Sequence, residues 1–218
     1  SRLQDDPPRY RAFARTTLLG FFGLALPATA LLAVEAEGVI LFLFGRQWIA
    51  SIPMLKVLAV GSYFSTFVLV MNWLYLSENR TGEQLRWSLI SSPATMLGVS
   101  IGLRWGVLGV ATGFTIAQVL LLVPGVWHCL RRSPLTASDF FYAAGRATAA
   151  SIASAIVLWA MHRSAILVLP HAFLQLVVDS LIYGLLYIIL SLLLPGGWES
   201  LRAVSSQVRR FRGALETT

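Results

Sequence analysis

Six apolar stretches alternate with short charged connectors along the 218 residues. The first begins near Thr16 and runs to about Val34 with Pro27 inside it, where a bend is expected. A shorter apolar piece, Val39 to Phe44, follows Glu35 and Glu37 and closes on a turn from Gly45 to Trp48. The remaining stretches cover about 53–76, 87–103, 105–130, 140–161 and 172–194. Each approaches the roughly 20 residues that a helix needs to cross hydrocarbon. Lipid offers no partner to backbone polar groups, so only helices or a closed barrel can span it. Barrel strands alternate polar and apolar positions, and these stretches do not. The pattern therefore predicts an all-α, polytopic transmembrane helix bundle with six spans. Spans three and four meet so tightly at Arg104 and Gly106 that they form an antiparallel hairpin. Pro195, Gly196 and Gly197 stop the sixth. Beyond them Leu201, Val204, Val208 and Phe211 recur at helical spacing opposite Arg202, Arg209, Arg210 and Arg212, which predicts a basic amphipathic tail lying on the membrane.

Composition and charge sharpen this picture. Hydrophobic residues make up 56% and charged residues 12%, against roughly 25% charged in a soluble domain. Taking connectors alternately, one set carries Arg2, Arg9, Arg11, Arg15, Arg80, Arg86, Arg131, Arg132, Arg146, Arg202, Arg209, Arg210 and Arg212, and the other only Arg46, Lys56, Arg104 and Arg163. Cationic loops resist translocation, so the richer set is expected in the cytoplasm, with both termini beside it. An even number of spans fits. The net charge of +7 thereby reads as membrane orientation, with attraction to anionic lipids, rather than nucleic-acid binding. The chain opens on Ser1 without a signal peptide and reads as a fragment of a longer protein.

Catalytic chemistry finds little support. Asp5, Asp6, Glu78, Glu83, Asp139, Glu199 and Glu216 fall in connectors or tails, where solvated surface is the default, and only Glu35, Glu37 and Asp179 approach the membrane interior. No nucleophile motif or phosphate-cradling glycine loop is present, so an enzyme is not expected. Cys129 alone forms no disulfide framework, and His128, His162 and His171 have no recognised zinc spacing, so neither metal nor cofactor is expected. Small residues recur every fourth position as Ala94, Gly98, Gly102, as Gly109, Gly113, Ala117, and as Gly145, Ala149, Ala153, which predicts close helix approach on three faces. Trp48, Trp73, Trp87, Trp105, Trp127 and Trp198 sit near span ends, as interfacial anchors do.

Three pieces of sequence carry a resemblance. Residues 43–60, LFGRQWIASIPMLKVLAV, residues 75–87, YLSENRTGEQLRW, and residues 104–113, RWGVLGVATG, resemble in order and spacing the carboxy-terminal part of Wzx-type lipopolysaccharide and exopolysaccharide flippases of the multidrug/oligosaccharidyl-lipid/polysaccharide exporter superfamily. The resemblance covers roughly the first 130 residues. It divides the chain into a four-helix transmembrane block, 1–130, an additional helix pair, 131–197, and the basic tail, 198–218. It implies a bacterial inner-membrane transporter fragment whose N-terminal transmembrane lobe is missing. Such a protein exports an undecaprenyl-diphosphate-linked oligosaccharide for polysaccharide biosynthesis, with membrane lipids around it and a polysaccharide polymerase and glycosyltransferases as working partners.

A substrate with an isoprenoid tail, a diphosphate and a glycan needs a laterally open cavity with cationic anchors and polar walls. Arg86 and Arg146, at helix starts, either snorkel to lipid phosphates or meet the diphosphate. Lys56 either neutralises Glu35 or Glu37 or meets departing substrate. Asp179, with Glu35 and Glu37, is a candidate for coupling to a proton or sodium ion, unless it merely bonds Tyr183 one turn on. Asn72 and Gln118 either glue helices together or line a sugar passage. Two other functions stay open: a drug or small-ion exporter of the same superfamily, and a membrane-embedded polysaccharide polymerase or ligase. The latter should carry a large extramembrane loop, and no connector here exceeds about fifteen residues.

Overall fold

A computed structural model describes residues 7–164 and 172–194. The amphipathic tail, 198–218, His171 and Arg2 lie outside the described residues. The described residues form α1 (Pro7–Val34), α2 (Ala36–Leu43), α3 (Ile52–Ser77), α4 (Thr81–Gly102), α5 (Gly106–Leu130), α6 (Ala137–Arg163) and α7 (Ala172–Leu193), with short 3-10 segments at Arg46–Ser51 and Leu103–Trp105. Among the described residues, five continuous helical runs are long and apolar enough to cross a membrane, and one of them, Thr81–Leu130, is 50 residues long and contains a 3-10 turn. It folds back at Leu103–Trp105 and so supplies two antiparallel crossings, which brings the long helices to six. Large apolar side chains such as Leu89, Met96, Val123 and Leu193 stand two-thirds to three-quarters exposed. Apolar surface of that extent on helices long enough to cross hydrocarbon suits lipid and not water, and the chain is a multi-pass membrane protein.

The helices pack in the lateral order α4, α5, α3, α1, α6, α7, with α2 folded over the end of α7. The centre of this curved layer is built from α1, α3 and α6. Phe22 lies 5.1 Å from Phe67 and 5.5 Å from Phe140 between ring centroids, and Leu18, Leu26, Leu74 and Tyr75 fill in around them. Glycine decides the α4–α5 contact. A Cβ on Gly98 would stand 2.8 Å from the Gly113 carbonyl, and one on Gly102 would collide with the Gly109 carbonyl. Two of the three expected small-residue faces thus meet each other. The third does not behave as expected: Gly145 has nothing within 4 Å of a would-be Cβ, Ala149 is exposed, and α6 instead buries Phe140, Ala143, Ala147, Ala150 and Ser154.

Helix α1 begins nine residues before the apolar stretch that predicted it, because Pro7 and Pro8 suit a first helical turn and Tyr10 and Ala14 are buried. It also runs through Pro27. A proline has no N–H for the carbonyl four residues back, here Gly23, and that oxygen instead accepts a 2.9 Å hydrogen bond from the Tyr187 hydroxyl of α7. A backbone group left without its helical donor is thereby satisfied by a side chain of another helix in the same bundle.

The arginine-rich connectors assemble at one end. Arg11 donates to Asp139 at 2.7 Å, Tyr10 and Ser77 hydroxyls share a 2.7 Å bond, and Arg80 bridges Glu78 at 2.6 Å and Glu83 at 2.7 Å. Arg80 also donates to the Cys129 carbonyl, and Arg132 reaches Glu83. Of the acids expected at a solvated surface, the three among the described residues, Glu78, Glu83 and Asp139, are instead drawn into ion pairs: the Glu78 side chain is 6% exposed and the Glu83 side chain 16%. Four positions of connector chemistry fold together here because each helix hairpin returns its ends to the same level. Arg104 and Arg163 sit at the opposite end, at the α4–α5 turn and the close of α6.

Candidate functional site

Where α4 splays from α3 over α5, a cleft of about 520 Å³ opens among residues that include Asn72, Ser88, Ser91, Ser92, Thr95 and Gln118. Its polar wall comes mainly from α4. Ser88, Ser91, Ser92 and Thr95 recur at helical spacing and so fall on one face, with Ser100 further along. Thr95 spends its proton on the Ser91 carbonyl. From α5, Gln118 donates to the Ser65 hydroxyl of α3 at 2.7 Å, and Gln84 donates to Asn72 at 3.4 Å. Both expected polar residues of the membrane interior thus line one cleft while also bonding across helices. The hydroxyl row on α4 was missed in the sequence, although its serines and threonine stand three and four apart.

A second cavity of about 520 Å³ lies between α1, α3 and α6. Its walls are apolar, built from residues such as Ala30, Val60, Phe64, Ile152 and Trp159, and Lys56 stands among them as its cation. Helix α3 walls both spaces, with Phe64 on one and Val68 on the other. Lys56 makes no ion pair with Glu35 or Glu37. Glu35 is instead buried at the α1–α2 break with its Oε1 3.7 Å from His162 Nε2, while Glu37 is exposed. Burial and a bend in the chain explain the change: the break turns Glu35 toward α6 and α7 rather than back along α3.

Asp179 is buried and accepts from Gln175 at 2.7 Å, with His162 Nε2 at 2.9 Å. It does not pair with Tyr183, whose hydroxyl donates to the Ser151 carbonyl. His162 was missed in the sequence because residues 35, 162 and 179 have no local spacing to mark them. Arg86 and Arg146 are not brought together, since α4 and α6 do not pack on each other. Arg86 is exposed. Arg146 donates to the Ser191 and Leu194 carbonyls at the end of α7 and lies over the Tyr142 ring, 5.5 Å from its centroid.

Comparison with known proteins agrees with this architecture. Residues 1–53 match the family model described as polysaccharide biosynthesis protein. The fold is similar to that of the lipid II flippase MurJ in its inward closed conformation, with a TM-score of 0.64 and 19% identity over 88% of this chain. The chain covers 40% of that flippase. No curated protein matches. The chain thus shares its helical fold with part of that solved structure, and its first 53 residues are similar to the polysaccharide biosynthesis family model.

Proposed function

We propose that this chain forms the carboxy-terminal block of a transporter that flips a polyprenyl-diphosphate-linked oligosaccharide across the bacterial cytoplasmic membrane, with both ends of the chain on the cytoplasmic side. The observation that carries the reading is the pairing of a hydroxyl- and amide-walled cleft with an apolar groove on the same helix, α3. Sugars need hydrogen-bonding walls, and a seryl face deep in an apolar bundle supplies them without charge. The isoprenoid fits the groove between α1, α3 and α6. Exposed Arg86, near the arginine-rich end of α4, meets the diphosphate on the inner side, and Lys56, at the opposite end of the bundle, meets it as substrate leaves, each as a charge-assisted donor. Arg146 ranks behind them, because it would have to release the α7 carbonyls to reach a phosphate. Glu35 and Asp179 are the acids proposed to take a coupling proton or sodium ion, with Glu37 beside them at the surface. Chemistry on the glycan is not assigned, and transport rather than catalysis accounts for the arrangement.

The full-length protein tests this. Replacing Gln118 by Leu together with Ser91 and Ser92 by Ala removes three cleft groups. Losing hydrogen bonds of about 1 kcal/mol each should slow appearance of lipid-linked oligosaccharide at the outer face at least fivefold, with the protein still reaching the membrane. Unchanged flipping by a correctly inserted triple variant would count against a sugar path through this cleft.

A further inference from the structure

Glu35 from the α1–α2 break, His162 from the last turn of α6 and Asp179 from α7 converge at the end of the bundle away from the arginine network. One ligand-capable atom from each lies within 4.8 Å of the others. His162 Nε2 stands between the two carboxylates, 2.9 Å from Asp179 Oδ2 and 3.7 Å from Glu35 Oε1. Both acids are enclosed, with side chains 2% and 4% exposed, whereas the imidazole keeps a third of its surface open as an entry path. Glu35 Oε1 is buried, faces the imidazole and has no hydrogen-bond partner. One Nε2 proton cannot serve both acids, and a carboxylate oxygen buried without a partner is costly. Its other oxygen lies against Gly38, where a Cβ would approach Oε2 to 3.2 Å, so glycine there keeps room for the group.

We propose that Glu35, His162 and Asp179 form a binding site for a first-row divalent cation of the zinc type, which clasps α6 and α7 to the junction of α1 and α2. Two carboxylates balance the charge of such an ion. Metal–ligand bonds of about 2.0–2.2 Å hold neighbouring ligand atoms roughly 3–3.7 Å apart in a tetrahedron, close to the separations seen here. An imidazole among the ligands favours zinc-like ions over calcium or magnesium, which take oxygen. With its proton on Nδ1, the ring presents the Nε2 lone pair to the metal, and the Gln175 amide holds Asp179 in place. Water completes the shell. The clasp goes beyond the transport reading, since it requires no substrate; a coupling proton and a metal would be exclusive occupants of the same acids.

The purified full chain in detergent, stripped with chelator, provides the test. Zn²⁺ should bind at one equivalent and raise the melting temperature, and His162→Gln and Asp179→Asn should each weaken binding on the order of 100-fold, with Gln175→Leu costing about tenfold. Because either ligand variant could unfold the helix pair, His162→Cys is the second measurement: with Co²⁺ it should retain binding and gain a thiolate-to-cobalt charge-transfer band that the parent lacks. Lack of saturable Zn²⁺ binding, affinity unaltered by the ligand variants, or a cysteine variant that binds Co²⁺ without that band would each overturn the site. Stability that responds to pH but not to Zn²⁺ would also overturn it and leave a proton as the occupant.

Discussion

At the scale of single residues, the membrane makes unpaired polar groups expensive, and the chain answers with contacts between residues far apart in sequence. Pro27 and Tyr187 illustrate this. The proline removes the N–H that Gly23 would bond, and a hydroxyl 164 positions away replaces it. Tyr187→Phe should therefore lower stability by about 1–3 kcal/mol, read as a drop in melting temperature in detergent. Pro27→Ala restores the helical donor, so the double variant should recover most of that loss. Equal losses from Tyr187→Phe in both backgrounds would show that the hydroxyl has no special tie to the proline. Pro27 was legible as a helix interruption, but its partner was not, since nothing in the local pattern around Tyr187 refers to α1.

At the scale of elements, glycine placement separates contacts that hold the fold from faces that do not. Gly102 and Gly109 sit where any Cβ meets backbone, so the α4–α5 hairpin has no slack. Gly102→Val should separate the two helices and cost about 1–3 kcal/mol as overpacking, whereas Gly145→Ala, with open space around it, should lie within about 0.5 kcal/mol of the parent. Parallel thermal melts of the two variants decide the matter, and similar losses in both would refute the assignment of faces. Spacing alone singled out all three small-residue stripes, because a four-residue period identifies a face without saying what lies opposite it. On α6 the packed face is instead marked by Phe140 and Leu158, both fully buried.

At the scale of the whole molecule, the hairpins return the arginine-rich connectors to one end, and the acid–histidine cluster forms at the other. In a Cys129→Ser background, cysteines replacing exposed Arg132 and Ser138 should react with a membrane-impermeant thiol reagent only from the cytoplasmic side. Cysteines replacing exposed Gln47 and Arg104 should react only from outside. The reverse pattern would invert the proposed orientation; labelling of both sets from one side would break the six-crossing arrangement. The lateral order of helices also explains why the polar cleft and the apolar groove adjoin. Helix α3 lies between α5 and α1 and so lines both.

The sequence by itself determined the six long helices and, among the described residues, which arginines gather at one end, because burial in lipid demands long apolar runs and hairpin connectors alternate between the two ends, and both are properties of contiguous residues. It also exposed Asn72, Gln118, Glu35 and Asp179 as polar groups out of place in such runs. Only the tertiary structure decided their company. Gln118 meets Ser65, Gly23 meets Tyr187, and Glu35 meets His162 and Asp179 rather than Lys56. These are distances through space between helices whose order in the layer differs from their order along the chain, and no local pattern of residues records that order.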